Sequence, residues 1–319
     1  MIVTVTPNPS IDRTVALAGP LGRGTVQRAD SMTSQAGGKG INISRAAVAA
    51  DVATLAVLPS AADDPFVLEL SAAHIPSLTV RPAGPVRVNI TISEPDGTTT
   101  KLNSPGPVVT AADLAALADA VAGHAVEADW VVLAGSLPPG APDEWYADLV
   151  ATLRDLDARV AVDTSDGPLR ALVAGLTRGA PHLMKPNGAE LASFTGADPV
   201  ALEADPAAAA RAARRLVSSG VDEVLVTLGP HGAVLVTTDG AWHAAPPPTT
   251  VVSTVGAGDS SLFGYLLGDL RQQDPAHRLA LAVAYGSAAA GLPGTTIPRP
   301  SQVRAELVQV REVNLTQGG

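Results

Sequence analysis

Residues 251–261 read VVSTVGAGDSS, and their interpretation sets the fold. The run from Val251 to Val255, mostly β-branched, predicts a strand. It stops at Gly256-Ala257-Gly258, and Asp259 opens an apolar-periodic segment that predicts a helix. Glycines without a Cβ let backbone amides approach a ligand closely. A helix start offers unpaired N–H groups and about half a positive charge. With one carboxylate beside them, these groups describe a place where anionic oxygens meet a base, as phosphoryl transfer requires. The same residues also suit a tight turn in which Asp259 only complements the helix dipole.

Outward from this stretch, the chain alternates strands and helices. Strands are expected at 2–6, 52–58, 130–134, 160–163, 182–184 and 224–228, with further short ones at 233–236 and 242–245. Helices are expected at 41–50, 65–74, 110–122, 142–156, 166–174, 187–194 and 206–219, and helices are expected to close the chain. Such alternation implies an α/β fold, a mostly parallel sheet with helices on both faces. Ligands then bind at the carboxyl ends of the strands. The loops after Thr6, Ala134, Met184, Leu228 and Val255 are expected along that one edge. Two segments stand apart. VRVNITI at 86–92 alternates apolar and polar residues, and 98–103 returns after the Pro95-Asp96-Gly97 turn. With 24–32 they predict a small separate β layer, drawn from about 13–35 and 86–104 and inserted in one domain spanning 1–319.

The composition narrows the function. A hydrophobic fraction of 46% supports a sizeable core, and aromatics at 3% leave it to Ala, Val and Leu. A net charge of -10 argues against a nucleic-acid or anionic-membrane surface, so an anionic ligand needs a local site. Cysteine is absent, which removes disulfides, thiolate metal sites and a thiol nucleophile. No basic-then-apolar leader stands at the N-terminus, and no charge-free apolar run reaches the roughly 18 residues of a membrane span. A soluble, cytoplasmic protein is expected. Lysine occurs three times, at Lys39, Lys101 and Lys185, while arginine carries the other positive charges. A chain so biased toward Arg keeps Lys where a compact point charge suits the site.

Common motifs are missing: no GxxxxGK[ST], no GxGxxG after the first strand, no HExxH. The His residues are scattered and read as surface or core. Gly135-Ser136-Leu137-Pro138 lacks the GxSxG spacing of a hydrolase elbow and reads as a turn. Gly37-Gly38-Lys39-Gly40 with Asn42 again sets glycines and a cation before a helix. In Lys185-Pro186-Asn187-Gly188-Ala189-Glu190, Asn187 suits an N-cap with Glu190 at N3. The alternative is that Glu190 and Asn187 hold waters around magnesium, which meets protein through few carboxylates.

TPNPSID at 6–12, GGKGIN at 37–42, GSLPPG at 135–140, KPNGAEL at 185–191, TLGPHGA at 227–233 and STVGAGDS at 253–260 resemble, in order and spacing, the ribokinase-like carbohydrate kinases, and most the phosphofructokinase-B branch. The resemblance covers nearly the whole chain. It implies a parallel-sheet core, a β lid that closes over the sugar, ATP and Mg2+ as cofactors, and phosphorylation of a sugar hydroxyl. It implies Asp259 as catalytic base and Gly256, Ala257 and Gly258 as the anion hole. Asp12, Gly38, Lys39 and Asn42 would hold the sugar. Thr227, Gly229 and Gly232 would line the nucleotide site with Lys185 near its phosphates, and Asn187 and Glu190 would organise the metal through water. A homodimer through the lid is a further implication.

On the lid side, Lys39 joins Arg87, Asn89 and Asn103. Two cations suit a phosphorylated sugar, whose dianion needs charged partners when desolvated. GGKGIN and RVNI most resemble the 1-phosphofructokinases, with tagatose-6-phosphate kinases and minor 6-phosphofructokinases as near relatives. Thr91 stands where relatives often carry a basic residue, and Lys101 or Arg28 is the candidate substitute. A non-catalytic sugar sensor on the same fold would have lost the Asp259 position, and a dinucleotide oxidoreductase would need the missing fingerprint.

Overall fold

The structure, a computed structural model, describes residues 1–315. The chain runs β1 (Ile2–Val5), β2 (Ser10–Leu17), β3 (Ala29–Gly37), α1 (Lys39–Ala49), β4 (Thr54–Pro59), α2 (Pro65–Ala72), β5 (Ser77–Val80), β6 (Arg87–Ser93) and β7 (Thr99–Asn103). It continues through α3 (Ala111–Ala125), β8 (Trp130–Ala134), α4 (Trp145–Leu153), β9 (Arg159–Asp163), α5 (Asp166–Ala174), β10 (Leu183–Met184), α6 (Gly188–Thr195), α7 (Pro199–Ala204) and α8 (Pro206–Ser218). Last come β11 (Glu223–Thr227), β12 (Ala233–Thr237), β13 (Ala241–Ala245), α9 (Ala257–Leu270), α10 (Pro275–Ala290) and β14 (Gln309–Glu312).

The large sheet has ten strands in the order β14-β13-β12-β11-β10-β9-β8-β1-β4-β5. From β5 to β11 every pairing is parallel; β12, β13 and β14 add an antiparallel margin. Alternate residues of each strand feed two cores. Val131, Leu133, Val160, Val162, Val224 and Val226 face α3 to α8, packing with Leu117, Tyr146, Leu172, Leu191 and Leu216. Trp130, Val132, Ala161 and Leu225 face the other way, with Ile43 of α1, Phe263 and Leu266 of α9 and Val283 of α10. Burial on both faces is why these strands read as nearly unbroken apolar runs.

Helix α9 is buried along nearly its whole length between the sheet and α10. A Cβ on Gly264 would fall 2.5 Å from the Leu281 carbonyl oxygen. Only glycine lets α9 and α10 cross this closely. At the far end of α9, Asp269 receives Trp130 Nε1 at 2.9 Å and Arg278 Nη1 at 3.0 Å, and also pairs with Arg159. The carboxyl end of α9 is therefore fixed.

The second sheet, β3-β2-β6-β7, stands apart from the first. It begins earlier than expected, at Ser10, and β3 starts at Ala29, so Gly24 lies in a turn. Two other expectations need correction. Residues 251–255 form no strand; Val251, Val252 and Val255 are exposed, and the segment is tied by Val252 N–H to the Ala290 carbonyl at 2.8 Å. β-Branched residues favour a strand only where a pleated partner exists, and the free side of β13 is taken by β14. The chain closes on short 3-10 turns and β14, not on helices. β5 and α7 were also not expected: β5 is a four-residue edge strand, and α7 a six-residue helix capped by Asp198.

Candidate active site

The loops after β1, β8, β10 and β11 open, as expected, on one cleft of about 1140 Å³. The small sheet forms one wall through Ser10, Asp12, Arg87 and Asn89, and the start of α9 another. Every residue given a catalytic, binding or metal role in the sequence lines this cleft except Asn103. Asn103 pairs opposite Asn89 but is exposed and lies outside the lining. Lys101, opposite Thr91, and Arg28 are likewise exposed and outside it. Thr91 itself also lies outside the lining.

Gly256 caps α9 in the left-handed region, at φ 78. Gly256, Ala257 and Gly258 line the cleft, and the first-turn amides there have no intrahelical acceptor. The Ala257 N–H folds back on the Thr254 carbonyl at 3.3 Å. Asp259 follows in the first turn, 7% exposed, and Asn42 Nδ2 donates to its Oδ2 at 2.8 Å. Burial raises the Asp259 carboxyl above its ordinary range, Lys39 pulls it back, and the negative charge of Asp163 adds to the rise.

Lys39 begins α1 after Gly38, whose φ of 125 and closeness to Thr6 exclude a side chain. Its Nζ donates to Asp163 Oδ1 at 2.6 Å. Burial works against the Lys39 ammonium, but Asp163 and Asp259 outweigh it and hold its pKa above the usual value. Lys185, directly after β10, places Nζ 3.1 Å from Asp163 Oδ2. A Cβ on Gly258 would stand 3.4 Å from that Nζ, so the α9 loop and Lys185 share one corner.

Asp12 Oδ1 accepts from Ser10 Oγ at 2.8 Å and from Asn89 Nδ2 at 3.0 Å. The second of these joins β6 to β2 on the cleft side. Arg87 donates from Nη1 to the Ser104 carbonyl at 2.9 Å, while its Nε is buried without a partner among the described residues. Across the cleft, Asn187 and Glu190 form a reciprocal capping box, with both bonds at 2.8 Å. The Gly229 and Gly232 turn follows β11; a Cβ on Gly232 would collide with the Ala244 carbonyl.

Three residues escaped the sequence. Asp163, fully buried at the end of β9, holds both cleft lysines. Asn8, between two prolines, donates to the Pro105 carbonyl at 3.0 Å and so joins the first loop to the segment after β7. Thr295 donates to Gln35 at 3.3 Å, tying the C-terminal loop to β3. The loop read as a turn bends at Gly135, at φ 100, and turns only at Pro139 and Gly140; Gly135 and Ser136 line the cleft. Among the described residues no group of three or more His, Asp or Glu gathers as a metal cage, and no helix is long and apolar enough to cross a membrane.

Residues 6–302 match the pfkB family carbohydrate kinases. A 1-phosphofructokinase of Rhodobacter capsulatus is 37% identical over 312 residues, covering 95% of each chain. The phosphofructokinase-2 of Escherichia coli, solved with substrates and products, superposes with a TM-score of 0.86 at 29% identity, covering 96% of this chain and 99% of that one. A ribokinase of Thermotoga maritima shares the fold, with a TM-score of 0.74, 19% identity, and 96% and 98% of the two chains covered.

Proposed function

Since this chain belongs to the pfkB family of carbohydrate kinases, we propose that it moves the γ-phosphoryl group of ATP to the 6-hydroxyl of fructose 1-phosphate, giving fructose 1,6-bisphosphate and ADP. One observation carries this reading. A buried carboxylate, Asp259, stands at a helix N-terminus in a cleft that also presents Lys39 and Arg87.

In the reaction the sugar hydroxyl oxygen bonds to the γ-phosphorus. The bond from that phosphorus to the β,γ-bridging oxygen breaks, and the hydroxyl proton passes to the Asp259 carboxylate. A positioned base of this kind contributes about 10²–10⁴-fold, or about 3–5 kcal/mol of barrier. The amides of Gly256 and Gly258 meet the charge spread over the equatorial phosphoryl oxygens, and that of Ala257 joins them on leaving the Thr254 carbonyl, which it holds at 3.3 Å. Asp12, Gly38 and Asn42 orient the sugar, and Lys39 and Arg87 neutralise its phosphate. Lys185, Asn187, Thr227, Gly229 and Gly232 take the nucleotide. Closure of the small sheet excludes water, the competing acceptor.

Glu190 and Asn187 suit magnesium held through water. One Glu190 oxygen is engaged by the Asn187 N–H at 2.8 Å, and the other is available to a hydrating water. A metal that keeps most of its waters needs no protein cage. When bound with ATP it shields the β- and γ-phosphate charge.

The same small sheet supports a homodimer. Its register places Val15, Met32, Ile90, Ile92 and Leu102 on the face opposite Asp12 and Asn89. Met32 and Leu102 are 59% and 55% exposed, an apolar surface that a second copy would cover. Sedimentation at micromolar concentration should give the mass of two chains; a monomer would remove this interface.

An ADP-release assay across fructose 1-phosphate, fructose 6-phosphate, tagatose 6-phosphate, fructose and ribose tests the activity. Fructose 1-phosphate is expected to give the highest kcat/KM. A preference for either 6-phosphate would move the assignment within the family, and a preference for fructose or ribose would refute the phosphate role of Lys39 and Arg87.

A further inference from the structure

The least accessible charge beside the cleft lies behind its lining, on a residue assigned to no substrate. Asp163 is fully buried at the carboxyl end of β9. Its neighbour on one side is β10, which leads into Lys185; on the other is β8, which leads into Gly135 and Ser136. Asp163 Oδ1 takes Lys39 Nζ at 2.6 Å and Oδ2 faces Lys185 Nζ at 3.1 Å. Burial opposes ionisation of this carboxyl, but Lys185 and Lys39 together hold it below the usual carboxylate range.

The two lysines reach it from distant parts of the chain, one from the start of α1 beside the small sheet and one from the loop before α6. A lysine has a flexible four-carbon stem and three donors. One donor spent on Asp163 fixes the ammonium and leaves two for phosphate oxygens. A buried carboxylate with two cationic partners is retained against a desolvation cost of several kcal/mol, which a neutral residue would avoid. Two ammonium groups in one corner would also repel each other without the charge between them.

We propose that Asp163 is a positioning residue that fixes Lys39 and Lys185 relative to each other, so that the sugar phosphate and the nucleotide phosphates are bound in register for transfer. This rests on the kinase reading above and adds to it a residue that touches neither substrate. The charge of Asp163 also makes Asp259 harder to ionise. The groups acting on Asp259 are Lys39, Asp163, Asn42 and Lys185.

The test is Asp163→Asn, assayed for kcat, both KM values and the pH profile. The amide keeps the shape but is neutral, so both lysines lose the negative charge that holds them, and its NH2 group turns a donor toward one of the two ammonium groups. KM for fructose 1-phosphate and KM for ATP should both rise, each about tenfold. The acid limb of the pH profile should move to lower pH, because Asp259 loses a negative neighbour. A rise in one KM alone, an unmoved limb, or a higher magnesium requirement with both KM values unchanged would overturn the proposal. Asp163→Glu keeps the charge on a longer stem. It should raise both KM values with the limb near its wild-type position, and it carries the test if the amide variant does not fold. Wild-type turnover in the same assay reports separately on the kinase reading: no turnover of any sugar phosphate refutes that reading whatever the variants do.

Discussion

Asp259→Asn is expected to lower kcat by about 10²–10⁴-fold while both substrates still bind. The side chain is buried in the first turn of α9 and makes one hydrogen bond, from Asn42 Nδ2 at 2.8 Å. An asparagine oxygen accepts that bond equally well, so the loop keeps its shape. The amide cannot take the hydroxyl proton, and only the base is removed. The pH profile makes the test specific. Burial, with the charge of Asp163, raises the Asp259 carboxyl above its usual range. Wild-type activity should therefore fall as pH drops through a limb above the ordinary aspartate value of about 3.9, and the variant should lack that limb. Stability should move the other way. A carboxyl whose folded pKa is raised costs stability once pH rises above its unfolded value. At neutral pH the variant should melt at or above the wild-type temperature, a known trade at functional sites. Retention of near-full turnover would take Asp259 out of its role.

The residues that make this site legible in sequence are those that must break local rules. Gly38, Gly232 and Gly256 have positive φ and sit in short motifs that a reader can match. Asp259 and Asn187 stand at helix starts, where capping patterns expose them. Asp163 gives no such signal. It is the last residue of a short apolar strand, and its partners lie 124 and 22 residues away. Only the order of strands in the sheet brings them together. The strand expected at 251–255 failed for a related reason: its residues suit a strand, but β14 returns from the far end of the chain to take the edge. Asn103 pairs opposite Asn89 in the small sheet, but a place in the sheet does not say how far the cleft wall extends. The alternation of strands and helices and the separate small sheet are local patterns, and these survive in the fold.

Lys39→Ala should raise KM for fructose 1-phosphate by about 10–100-fold, the loss of a charge-assisted hydrogen bond of about 1.5–3 kcal/mol, and change KM for ATP much less. Lys39 is 35% exposed at its side chain, whereas Lys185 is 4% exposed. The first can turn two donors toward a ligand on the small-sheet side. The second is packed beneath the α9 loop. Losing Lys39 leaves the Lys185 to Asp163 pair in place, so the nucleotide side keeps its anchor. This separates Lys39 from Asp163, whose replacement should affect both substrates. The two variants should also displace the acid limb in opposite directions. Lys39 lowers the Asp259 carboxyl through its charge, and Asp163 raises it. Without Lys39 the limb moves to higher pH, and kcat at neutral pH falls as less Asp259 is ionised; without the charge of Asp163 the limb moves lower. Equal changes in both KM values with an unmoved limb would make Lys39 a packing residue. A limb that moves the same way in both variants would show that Asp259 responds to disorder in the cleft, not to the charges beside it.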